Sequence, residues 1–138
     1  MPFSEPTPCP CGRLNPRGAR LALADCCGRY LPDAAATPAP DPESLMRSRY
    51  TAYTRGDEPY LRATWHASTR PAEVAPEPGT RWLGLEVRSA RLADERHGEV
   101  EFVARCRPPG PGPAVRLHER SRFVREDGRW YYVDGDML

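Results

Sequence analysis

Apolar residues recur with two different periods along the chain, and the period changes near its middle. Between positions 43 and 56, Leu45, Met46, Tyr50 and Tyr53 are spaced for one face of a helix, with Arg47, Ser48 and Arg55 turned away. Asp41-Pro42-Glu43 supplies an N-cap, a proline in the first turn and an early acid, and Gly56 ends the helix. Asp57 caps a second short helix with Tyr60, Leu61, Thr64 and Trp65 facing inward. Prolines and a glycine exclude a regular element from Ser68 to Thr80.

After that the period is two. Leu83, Leu85 and Val87 alternate with Gly84, Glu86 and Arg88, and Val100, Phe102, Ala104 and Cys106 alternate with Glu101, Val103 and Arg105. A turn at 95–98 joins these strands. The run Pro108 to Pro113 breaks the sheet before a third strand at 115–125, and Asp127-Gly128 makes a tight hairpin into a fourth at 130–133. Helices followed by an antiparallel meander predict an α+β fold, a curved antiparallel sheet packed against N-terminal helices.

Length and composition narrow this picture. A chain of 138 residues forms one ordinary domain plus a small appendage. No apolar run approaches the roughly 20 residues of a membrane helix, and the N-terminus lacks a basic start and an apolar stretch, so a soluble cytoplasmic protein with no membrane contact is expected. The formal charge is +1. Every basic residue is arginine, while isoleucine and glutamine are absent, a bias that codon usage produces and that does not itself signal nucleic-acid binding.

Cysteine is what changes the functional picture. Cys9-Pro10-Cys11 and Cys26-Cys27-Gly28 place four of five cysteines in two close pairs, with Cys106 apart in a strand as a small core residue. Three readings compete. A disulfide between Cys26 and Cys27 would strain the peptide between them, and buried unliganded thiols do not explain the grouping. A metal does, and four soft thiolates suit Zn2+ in a closed tetrahedral site that serves architecture or docking rather than chemistry. The gaps within the pairs are shorter than the familiar zinc spacing.

These two pairs resemble the SEC-C motif, the zinc knuckle at the C-terminus of the SecA translocation motor. The resemblance implies Cys9, Cys11, Cys26 and Cys27 as zinc ligands, and a docking partner such as a chaperone or a ribosome-like surface. Fourteen residues, Gly12 to Asp25, separate the pairs here, more than in the usual motif; the longer loop lacks that motif's basic pattern, for which Arg13, Arg17, Arg20 and Arg29 partly stand in. More widely, Leu45-Met46-Arg47-Ser48-Arg49-Tyr50, Thr64-Trp65-His66, Leu117-His118-Glu119-Arg120-Ser121 and Trp130-Tyr131-Tyr132-Val133-Asp134-Gly135 resemble the YchJ family of bacterial proteins. That resemblance implies a zinc knuckle joined to a cystatin-like, nuclear-transport-factor-like cone, and no particular activity. The chain then divides into a knuckle at 1–31, a Pro/Ala-rich spacer at 32–42 and the cone domain at 43–138.

A cone of this kind often holds a pocket. Tyr50, Tyr53, Trp65, Trp82, Trp130 and Tyr132 are candidates for an aromatic lining, and His66, His118 and Arg122 for its polar groups. Strand alternation puts His118, Arg120 and Arg122 on one face and Glu119 on the other. Asp134 and Asp136, flanking Gly135, read as turn or surface groups. Phosphate-loop, nucleophile-elbow and metalloprotease motifs are absent. The leading reading is an interaction module that docks through a four-cysteine zinc knuckle, with a cone that binds a small ligand or dimerises through its sheet. The alternative is an enzyme of isomerase, dehydratase or hydrolase type using His66 or His118. Nucleic-acid binding is a third reading, since the first thirty positions carry four arginines against Glu5 and Asp25.

Overall fold

The computed structural model describes residues 7–138, so the first six positions of the knuckle, Glu5 among them, lie outside the described residues. Two helices precede four strands: α1 (Pro42–Arg55), α2 (Glu58–Ala63), β1 (Arg81–Leu92), β2 (His97–Arg107), β3 (Val115–Glu126) and β4 (Arg129–Met137). The strands form an antiparallel meander in the order β1-β2-β3-β4, as the change of period predicts. Asp41 caps α1 by accepting from the Ser44 N–H at 2.7 Å, and Gly56 closes it at φ 64°.

α1 lies in the hollow of the sheet and is buried on nearly all sides. Leu45, Met46 and Tyr50 are buried as the period requires, but so are Ser48, Arg49 and Thr51. Ser48 therefore does not turn away. Its hydroxyl donates to the Leu45 carbonyl and pairs with the Tyr60 hydroxyl at 2.7 Å, which fastens α1 to α2. A helix enclosed between a sheet and a knuckle needs satisfied polar groups on its second buried face.

Two strand expectations change. The β1–β2 register slips between Trp82 and Gly84, so Leu83 is bulged out and 40% exposed, while Trp82 and Leu85 both face the helices. A second slip falls between Val87 and Ser89. β4 runs on to Met137, and the Asp134-Gly135-Asp136 stretch is strand rather than turn. Glycine at 135 reflects close approach: a Cβ there would stand 2.8 Å from Glu119 Cδ and 3.0 Å from the Arg120 carbonyl oxygen. The outer side of the sheet is charged. On it Arg122 donates to Asp134 at 2.6 Å and to Asp136 at 2.7 Å, and Glu101 bonds His118 and Arg120.

The Arg122 guanidinium holds the Asp136 carboxyl below its ordinary value by hydrogen bonding and charge. Because the folded-state value is the lower one, this contribution to stability is present above the ordinary carboxylate range and lost as pH falls through the depressed value. Arg122→Met is expected to move Asp136 back up, read by carboxyl-carbon NMR titration. An unmoved titration would show that the pair does not persist in solution.

The end of α2 covers the β4 edge. Tyr132 N–H donates to the Thr64 carbonyl, and His66 N–H donates to the Tyr132 carbonyl, each at 2.8 Å, so Trp65 pairs in parallel with Tyr132. Segment 32–42, which composition reads as an extended spacer, folds in turns with Ala34 and Ala39 buried. The cysteines, α1 and the inner residues of the sheet share one continuous hydrophobic core.

Candidate metal centre and adjoining cavity

The knuckle is built by local rules. Cys9 and Cys11 enter on a tight turn closed by Gly12, whose φ of 75° suits glycine. The long separator is a hairpin finger with Leu14 paired to Arg20. Its tip is organised by the Asn15 side chain, which accepts from the Arg17 and Ala19 N–H groups. Short 3-10 turns at Leu23–Asp25 and Cys27–Arg29 return the chain with Cys26 and Cys27 side by side.

All four sulfurs converge. Cys9, Cys11, Cys26 and Cys27 are 0–3% exposed, and their Sγ atoms lie within 4.8 Å of one another. Cys9 and Cys11 are 3.5 Å apart, and Cys11 and Cys26 are 3.6 Å apart. A tetrahedral zinc thiolate with bonds of ~2.3 Å has sulfur–sulfur edges of about 3.8 Å, whereas a disulfide needs ~2.05 Å. The ring has the size of a metal cage. Cys106 is buried in β2, away from the four.

Charge is distributed to suit such a cage. Hydrogen bonding with Cys11 and Cys27 holds the Cys9 thiol well below its ordinary value. Burial, then the charges of Cys11 and Cys9, push Cys26 up to about 12, and hydrogen bonding to Cys11 and Cys9 together with burial pushes Cys27 up as well. Crowded sulfurs cannot all ionise without a cation among them. Around them, three guanidinium groups bond the carbonyls of ligand residues: Arg20 to Cys9 at 2.8 Å, Arg47 to Cys11 at 2.9 Å and Arg29 to Cys26 at 3.0 Å. Thr51 Oγ1 lies 3.7 Å from Cys9 Sγ. These groups fix the cysteine backbones and would oppose the negative charge of a filled thiolate site.

A cavity of about 330 Å³ opens between α1 and the inner side of the sheet. Tyr50, Tyr53, Trp65, Trp82 and Tyr132 line it, and Tyr53 and Trp82 meet at 5.8 Å between ring centroids. The other four pocket candidates are elsewhere. His118 and Arg122 project from the opposite side of β3, where His118 Nε2 is 2.9 Å from Glu101. His66 pairs with Ser68 and Glu126 outside the cavity, and Trp130 is buried without lining it. Alternation assigns the faces of β3 as the structure has them, but the side chains that β3 sends to the cavity include Glu119 and Ser121 rather than His118.

Arg49 is the cavity group that periodicity could have found. It follows Met46 by three positions and precedes Tyr53 by four, on the inner stripe of α1, yet a charge on that stripe reads as solvated. It is 5% exposed. The Trp65 indole nitrogen is the one buried side-chain nitrogen or oxygen among the described residues that lacks a partner. No helix among the described residues is long and apolar enough to cross a membrane.

Comparison with known proteins agrees with both parts of the molecule. Residues 41–135 match the family model for the YchJ middle NTF2-like domain. A UPF0225 protein of Polaromonas sp. is 67% identical over 128 residues, covering 93% of this chain and 91% of the relative, and one from Xanthomonas campestris is 54% identical over 137 residues, covering 97% and 98%. Two solved structures superpose over the knuckle and the cone together. The solution structure of a SEC-C motif containing protein from Rhodopseudomonas palustris has a TM-score of 0.79 at 35% identity, covering 96% of this chain and 99% of that one. The crystal structure of a SEC-C motif containing protein from Psychrobacter arcticus has a TM-score of 0.74 at 28% identity, covering 92% and 80%. With a four-cysteine cluster preceding an NTF2-like cone, and relatives that match both, the chain belongs to the YchJ family of UPF0225 proteins.

Proposed function

We propose that the chain is a zinc-stapled docking module of the cytoplasm, with Cys9, Cys11, Cys26 and Cys27 holding one Zn2+ and the finger at 14–20 presented to a protein partner. The observation that carries this reading is the closed ring of four buried sulfurs, which leaves no open position for a substrate. Bound zinc supplies the free energy that holds a short hairpin in shape. Reduced thiolates of this kind belong in a reducing compartment.

A protein partner suits the finger better than nucleic acid does. Leu14 is 56% exposed at its base, the one large apolar side chain that the finger presents. Of the four knuckle arginines, Arg20 and Arg29 donate to the Cys9 and Cys26 carbonyls and Arg13 to Ser44, so three of the four guanidinium groups are held against the molecule rather than extended toward a phosphate backbone. The enzymatic alternative through His66 or His118 lacks geometry, because neither side chain lines the cavity. Self-association through the outer side of the sheet is the second docking mode proposed.

Elemental analysis of the purified chain is expected to give one zinc per molecule. Leu14→Asp should keep that zinc and the wild-type melting temperature while losing a stoichiometric protein partner recovered by in-cell cross-linking. Recovery of the same partner by both proteins would overturn docking through the finger, and a metal-free, fully folded wild type would overturn the staple.

A further inference from the structure

A buried cation without a counter-ion lies beside the aromatic cavity. Arg49 Nη1 donates to the Leu61 carbonyl at 2.9 Å and to Thr64 Oγ1 at 2.7 Å. The guanidinium carbon sits 5.0 Å from the Trp65 ring centroid and 4.6 Å from that of Tyr132. Among the described residues no carboxylate comes within ion-pair distance of it. Among the described residues its Nε and Nη2 have no hydrogen-bond acceptor, and Arg49 lines the cavity. Burial lowers the guanidinium's affinity for its proton, and nearby tyrosines and Glu119 offset this only in part. Even so, arginine stays charged, and a desolvated charge with idle donors is costly unless something fills them.

Glu119 supplies the opposite pole. It reaches the same cavity from β3, with Oε2 accepting from the Ser121 hydroxyl and, among the described residues, no hydrogen-bond partner for Oε1. The space between the two poles is walled by aromatic rings, the Tyr53–Trp82 pair and the Trp65–Tyr132 pair, the latter edge to face at 5.1 Å.

We propose that this cavity binds a small planar aromatic molecule with a neutral, amide-like head, whose carbonyl accepts from Arg49 and whose N–H donates to Glu119. The two poles set the selectivity. A carboxylate would satisfy Arg49 but face Glu119, and an ammonium would satisfy Glu119 but face Arg49. Only a head carrying both a donor and an acceptor meets both demands without repulsion. The site lies apart from the sulfur ring, and the inference does not depend on the docking reading.

Three probes with one indole body separate these cases: indole-3-acetamide, indole-3-acetate and tryptamine, titrated by calorimetry into the full-length, zinc-replete chain at neutral pH. The amide is expected to bind at least about tenfold tighter than either ion. Glu119→Gln should raise the affinity for the acetate about fivefold or more while holding the amide within about a factor of three, because the repulsion goes and an acceptor remains. Arg49→Met should abolish the preference for the amide. That variant also unties α2, so Glu119→Gln, with near-UV circular dichroism matching wild type, decides the matter. Equal affinity for all three probes, preference for either ion, no measurable binding of the amide, or an acetate affinity unmoved by Glu119→Gln would overturn the proposal.

Discussion

With zinc held as proposed, Cys27→Ser should leave the chain metal-free and lower its melting temperature by about 10 °C or more, with the loss felt beyond the knuckle. The size follows from two facts. Structural zinc contributes apparent free energies of about 10–16 kcal/mol in isolated zinc-finger peptides, so even a fraction of that exceeds the few kcal/mol on which a domain of this length depends. At this chain length each kcal/mol moves the midpoint by several degrees. The cysteines also share the core of the cone: Cys9 touches Thr51 on α1, and Arg47 on α1 donates to the Cys11 carbonyl. Differential scanning calorimetry with and without a chelator is the measurement. A metal-free variant melting with the wild type would show that the cage adds nothing to the fold.

Gly28→Ala should cost about 1–3 kcal/mol and speed chelator-driven zinc release about tenfold. A Cβ at this position would stand 2.6 Å from the Leu23 carbonyl oxygen and 3.1 Å from its carbon. Both are backbone atoms, so no flexible side chain can give way. The same carbonyl accepts the Cys26 N–H at 3.1 Å, and displacing it moves Cys26 within the sulfur ring. Glycine follows the second cysteine pair here because of this steric contact, and its φ is not in the left-handed region. Release kinetics followed with a colorimetric chelator, beside a thermal melt, test the point. Unchanged rates and midpoint would mean that the turn relaxes at no cost.

Legibility in the sequence tracked how local the deciding interaction was. Helix caps at Asp41 and Asp57, the stop at Gly56 and the Asp127-Gly128 hairpin are settled within a few residues, and the structure places them as read. Convergence of Cys9, Cys11, Cys26 and Cys27 was legible from thiol chemistry even though their spacing is unusual. What went unread is non-local. Leu83 leaves the inner side of the sheet because of a bulge that only the β2 partner defines, and Gly135 looks like a turn residue until Glu119 is found against it. His118 looked the better pocket residue by chemistry, but strand alternation carries it outward and Glu119 inward. The inward charge of Arg49 broke the rule that a helix buries its apolar stripe, and such exceptions are where a site is to be sought.

The two borders of the sheet also limit how copies of the molecule can meet. Along β4 the Thr64–His66 segment occupies the Tyr132 amide and carbonyl, and along β1 two register slips and the arginines at 81, 88 and 91 interrupt a strand of 12 residues. Neither rim offers the long, flat, unpaired ladder on which a second chain could continue the hydrogen-bonding pattern. Fusion of two molecules into one extended ribbon is disfavoured at both ends, leaving the ionic outer surface as the sheet's route to pairing, and such an association would weaken as salt rises.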